Sequence, residues 1–92
     1  MNTAFLLMAQ YNAQAVIPVD AVVRDYFPHL TVPNFLRKVA TGDIKLPLTR
    51  IESSSQKAAR GVHLNDLAGY IDQRQAAAKK ELEQMLRGTV QH

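Results

Sequence analysis

The sequence has no cysteine. That removes disulfides, thiolate metal sites and cysteine nucleophiles, and it fits a reducing cytoplasm. No apolar run reaches the roughly 18–20 residues that span a bilayer. The opening Met-Asn-Thr-Ala-Phe-Leu-Leu-Met-Ala has no basic stretch and no long apolar core, so no signal peptide is expected. There is no internal repeat, and the one biased tract is Ser53-Ser54-Ser55. The four glycines form no phosphate-binding loop. Acidic residues are scarce in one place, from 37 to 60. That stretch holds Arg37, Lys38, Lys45, Arg50, Lys57 and Arg60 against Asp43 and Glu52. Six basic residues less two acidic ones give +4, while the whole chain is +3, so the remainder sums to −1. A basic segment in an otherwise balanced chain is the footprint of a polyanion, and nucleic acid is the commonest one. On charge alone, a basic solvated surface explains the bias equally well.

What is present supports one small domain. With 92 residues, 47% of them hydrophobic, the chain can pack a core without staples. A domain of this size buries a modest share of its surface, so an oligomer interface would help it.

Residues 3 to 12 are rich in good helix formers, and Asn2 or Thr3 can cap their start. Asn12 can end that helix. The continuous run Phe5-Leu6-Leu7-Met8 leaves a strand as the competing reading. Pro18 suits the first turn of a second helix. Val19, Val22, Val23, Tyr26 and Phe27 recur there at helical spacing, and Pro28 stops them. Thr31 is placed to cap a third helix, with Val32 and Pro33 in its first turn. Phe35, Leu36, Val39 and Ala40 share one face of it; Asn34, Arg37, Lys38 and Thr41 share the other. Gly42 is a suitable C-terminal cap. Residues 18 to 41 therefore read as helix, tight turn, helix.

From Ile44 to Ile51 the period changes to two, which predicts a short strand confined by Pro47 to a sheet edge or to the residues after it. Val62-His63-Leu64 predicts its partner. Residues 52 to 61 form the polar, basic tip of this 44–64 hairpin. Asn65 or Asp66 should cap a last helix over 65 to 87, with Gly88 ending it. Leu67, Ile71, Ala78, Leu82 and Met85 form its apolar stripe. Glu83 and Arg87 can pair one turn apart.

Helix, turn, helix, basic hairpin, helix is the order of a winged helix-turn-helix, so the expected fold is mainly α with a short two-stranded wing. The second helix of such a pair, here 32–41, fits the major groove, and a basic hairpin beside it reaches phosphates or the minor groove. The candidate DNA-contacting residues are Thr31, Asn34, Arg37, Lys38, Thr41, Lys45, Arg50, Gln56, Lys57 and Arg60. Asn bonds bidentately to adenine and Arg to guanine.

The other polar residues read more plainly. His29 has no second ligand at usable spacing, and His63 lies in an expected strand, so no metal site is expected. Asp66 and Asp72 are explained by capping and solvation. Ser53 to Ser55 lack a partnered base, so neither catalysis nor a cofactor is expected. Tyr11, Tyr26 and Tyr70 read as core or interface residues. Arg24 fits a phosphate contact and a pair with Asp20 equally well.

Several ordered blocks also resemble the pyocin activator proteins. They are Phe5-Leu-Leu-Met-Ala-Gln-Tyr11, Val16-Ile-Pro-Val-Asp20, Arg24-Asp-Tyr-Phe27, Phe35-Leu-Arg-Lys38, Gly42-Asp-Ile44, Leu46-Pro47, Gln56-Lys57, Gly61-Val-His-Leu-Asn-Asp-Leu-Ala68, Tyr70-Ile-Asp72 and Arg74. The likeness runs to about Ala78, and the wing portion also resembles excisionases and MerR-type DNA-binding domains. The resemblance implies a small bacterial or prophage activator that switches on phage-tail-like bacteriocin genes after DNA damage by binding upstream of them. Duplex DNA and RNA polymerase would be its partners, at the nucleoid in the cytoplasm. The other function classes are an interaction module, such as an antirepressor that never touches DNA, and an excisionase-like factor that bends it. A homodimer or larger homo-oligomer is expected through Phe5-Leu6-Leu7-Met8 or the Ala78-Leu82-Met85 stripe, unless both segments merely complete the monomer core.

Overall fold

A computed structural model of the chain describes residues 2–52 and 60–90, with backbone alone at 89 and 90. The fold is mainly α, a winged helix-turn-helix with a small antiparallel sheet.

Helix α1 spans Thr3–Gln10. The side chain of Asn2 accepts from the Phe5 amide at 2.9 Å, which satisfies a first-turn donor and settles helix over strand. Asn12 and then Ala13 take left-handed backbone, φ 55° and 59°, and the Ala13 amide donates to the Met8 carbonyl at 2.7 Å. This closes the helix end two residues earlier than expected. Only Leu7 of the Phe5–Met8 run is buried; Phe5, Leu6 and Met8 are exposed.

Strand β1, Val16–Pro18, was not expected. Pro18 does not sit within the next helix: it ends β1 and serves as the N-cap of α2, Val19–Tyr26. An edge strand tolerates it because its missing amide faces no partner. Val19, Val22, Val23 and Phe27 are buried and Tyr26 half-buried, as their spacing indicates. Helix α3, Val32–Ala40, is capped by Thr31 as read from sequence. Its Phe35 is fully buried and meets Phe27 with ring centroids 5.0 Å apart, and Phe27 in turn meets Tyr70 at 5.9 Å. Ala40, assigned to the buried face, is exposed. Gly42 has φ 82°, the left-handed value that favours glycine.

The expected strand over 44–51 shrinks to β2, Thr49–Arg50. The alternation ahead of it comes from a coil that plugs the core. Ile44 and Leu46 are buried, the Ile44 amide donates to the Lys38 carbonyl at 3.1 Å, and the Leu46 amide donates to the Ile44 carbonyl at 3.0 Å. Period-two burial therefore arises here without a ladder. Strand β3 is Arg60–His63 and is central, in the order β1-β3-β2. The wing is thus part of a three-stranded sheet. Ile17 pairs with Val62, Pro18 and Thr49 flank Gly61 from either side, and Arg50 pairs with Arg60. A Cβ on Gly61 would lie 2.6 Å from the Ile17 carbonyl oxygen, so the close approach of β1 requires glycine.

Helix α4 spans Leu64–Val90. It begins a residue earlier than expected, and its cap is His63: Nδ1 accepts from the Asn65 amide at 3.1 Å, a duty expected of Asn65 or Asp66. Gly88 does not end it. A glycine stops a helix by going left-handed, and among the described residues Gly42 is the glycine with positive φ. Leu64, Leu67 and Ala68 are buried against the sheet and α1. Beyond Ile71 almost every described residue is exposed, and the molecule measures 58 × 31 × 21 Å. Among the described residues no helix is long and apolar enough to cross a membrane.

Candidate nucleic-acid interface

The site is built on α3 and on the β2–β3 pair. Helix α3 is held by Phe35 from below, with Leu36 and Val39 half-buried beside it. The opposite side carries Asn34, Arg37, Lys38 and Thr41. Arg37 Nη2 donates to Asn34 Oδ1 at 3.0 Å. That bond occupies the amide oxygen and one guanidinium donor, leaving the amide NH2 and the rest of the guanidinium fork free to donate. Arg37 and Asn34 are therefore one preformed unit, one turn apart. Both threonines serve the helix ends. Thr31 Oγ1 accepts from the Asn34 amide at 3.3 Å, and Thr41 Oγ1 donates to the Lys38 carbonyl at 3.2 Å. Lys38 is half-buried, and Lys45 is exposed on the coil after the helix.

On the sheet, Arg50 and Arg60 are both exposed and directly opposite one another. Like charges facing across an antiparallel pair repel. Among the described residues neither arginine has a carboxylate partner. The sequence offered both arginines but not their opposition, because register depends on a pairing ten residues apart. Gln56 and Lys57, with the rest of the tip at 53–59, lie outside the described residues.

Arg24 is exposed on α2 and pairs with Asp25 where Asp20 was the expected carboxylate partner. Its Nε lies 2.9 Å from Asp25 Oδ1, and its Nη2 donates to Asp25 Oδ2 at 3.1 Å. The Tyr11 hydroxyl donates to the same carboxylate at 2.7 Å, and Tyr26 donates to Gln10 Oε1 at 2.7 Å. These bonds clamp α1 onto α2, the first helix of the pair. The bonds from Arg24 and then Tyr11 hold the Asp25 carboxyl below its usual range. Burial, followed by the bond to Asp25, pushes the Tyr11 hydroxyl up. Among the described residues there is no cluster of metal-ligating side chains.

The family model described as pyocin activator protein PrtN matches residues 3–78. The chain belongs to the pyocin activator family. The match takes in α1, the helix pair, the whole sheet and the buried part of α4. The family is one of regulatory activators, and membership in it suggests a transcriptional activator of pyocin genes. Neither the curated proteins nor the solved structures contain a match.

Proposed function

We propose that the protein is a sequence-specific DNA-binding activator of phage-tail-like bacteriocin genes. Helix α3 reads the major groove, and the basic β2–β3 wing lies on the backbone or in the adjacent minor groove. It acts as a homo-oligomer and recruits RNA polymerase at a site upstream of those genes. The observation that carries this reading is the pairing of two cationic features without a carboxylate partner among the described residues: the bonded Asn34–Arg37 unit on α3, and Arg50 opposite Arg60. Each matches a different part of a duplex. A planar fork with an amide beside it suits base edges, and two facing arginines suit a phosphate run.

The test is a gel shift on DNA from upstream of the bacteriocin genes, with random-sequence competitor, across a salt series. Log affinity should fall with log salt at about −0.9 per phosphate neutralised. Specific DNA should survive competition that strips random DNA. Absence of binding even at low salt would transfer the protein to the antirepressor class, in which a repressor protein is the partner.

A further inference from the structure

Along the outer half of α4, almost every described side chain is exposed. The radius of gyration of the chain is 16.1 Å, against about 12 Å for a compact chain of this length. Residues Leu82, Met85 and Leu86 are 54%, 69% and 55% exposed. Ile71, Gln75, Ala78, Leu82 and Met85 recur at steps of four and three, the 3.5-residue seam of a coiled coil. This seam continues the face that Leu64, Leu67 and Ala68 bury in the body. Near Ile71 the body ends in a shallow groove bordered by Leu6, Tyr26 and Gln75.

Charges flanking the seam decide what fits it. Arg74 and Glu81 line one side, and Asp72 and Lys79 line the other; all four are exposed. In a parallel pair, Arg74 would face Lys79 of the second copy, which repels. In an antiparallel pair with Gln75 opposite Ala78 of the second copy, Arg74 faces Glu81 and Asp72 faces Lys79, each twice by symmetry. Sliding by one heptad puts Lys79 beside Lys79 and Glu81 beside Glu81. The favoured register centres between residues 76 and 77, beside the middle of α4 at 64–90. Charge pairing therefore selects this register. In it, Leu82 of each copy reaches Ile71 of the other, and Leu86 reaches the groove at Leu6 and Tyr26.

We infer that α4 is the dimerisation element, and that its occupant is α4 of a second copy, antiparallel, with Gln75 opposite Ala78. This rests on the homo-oligomer part of the proposed function and adds its geometry.

The absence of cysteine makes the test clean. A Gln75→Cys chain and an Ala78→Cys chain are oxidised mildly, separately and mixed, with mass followed by light scattering. The mixture should give an interchain disulfide, and each variant alone should not. Arg74→Glu should raise the dimer dissociation constant by about tenfold, and adding Glu81→Arg should restore it. All four positions are exposed, so folding is not at stake, and far-ultraviolet dichroism checks it. A dimer in which either single cysteine cross-links to itself overturns the antiparallel register and leaves the homo-oligomer standing. So does a charge swap that fails to restore the dimer. A monomer at every micromolar concentration overturns both.

Discussion

At the scale of single residues, two backbone positions have been filled in opposite ways. Gly42 and Ala13 both lie in the left-handed region. At Gly42 a Cβ would meet nothing within 4 Å, so a substitution there costs only conformational energy. Gly42→Ala should therefore destabilise the protein by about 1 kcal/mol. Ala13→Gly should do the reverse, by about 0.5–1 kcal/mol, because it relieves a strain the helix end now carries. Urea midpoints of the two variants should move to either side of the parent. Movement in the same direction would mean that the backbone at one site relaxes on substitution. The Asp25 knot adds a pH dependence. Arg24 and Tyr11 hold the folded-state carboxyl below its usual 3.8. Such a group stabilises above its unfolded value, and the gain is lost as pH falls through the depressed folded value. Asp25→Asn should be less stable than the parent at neutral pH. The two stabilities should begin to approach each other as pH falls below about 4 and meet only below the depressed folded value. Denaturation at a series of pH values reads this directly.

At the scale of elements, what the sequence revealed was local. Helices α2 and α3 announce themselves through apolar spacing, Thr31 as cap and Gly42 as stop, all within a few residues of the structure they make. Arg37 and Thr41 were legible as exposed positions of α3 for the same reason, whereas Asn34 and Lys38 of the same face are half-buried. Strand β1 was hidden because three residues carry no period of their own. Its existence depends on pairing Ile17 with Val62, forty-five positions away. The coil from Ile44 to Leu48 was misread because burying alternate residues gives the same pattern with or without a ladder. His63 was overlooked as a cap because histidine is not among the usual N-cap residues. Its opposition made the Arg50–Arg60 pair a feature of the sheet, invisible until register was known. The division of labour between the two elements is testable. Arg37→Ala should cost about 1–3 kcal/mol on the specific site and relax preference at one base pair. Arg60→Ala should weaken specific and random DNA about equally and flatten the salt slope by about one unit. If Arg37→Ala leaves base preference unchanged in a competition selection, α3 is not the reading element.

At the scale of the whole molecule, β3 runs into α4 without a break, so the position of each wing is tied to the axis of that helix. In the antiparallel pair, position 64 of one copy would come level with position 89 of the other along the shared axis. The two starts of α4 are then separated by 25 residues of helical rise, about 38 Å. One turn of duplex is about 34–36 Å. The two wings would leave the shared coil close to one turn apart, related by a two-fold axis across its middle. A dimer so built calls for an inverted site with half-site centres about 10 base pairs apart. Inserting 5 base pairs between the halves turns one of them to the far side of the helix. Affinity should then fall by tenfold or more, because only one half-site can be engaged at a time and each missing contact set costs several kcal/mol. The Arg74→Glu chain should respond differently. With its dimer weakened it should bind both spacings about equally, and less tightly than the parent on the original site. A gel-shift comparison of two proteins on two spacings separates the effects. If the parent tolerates the insertion while remaining a dimer, the wings are not held by α4, and the coupling of assembly to site geometry fails.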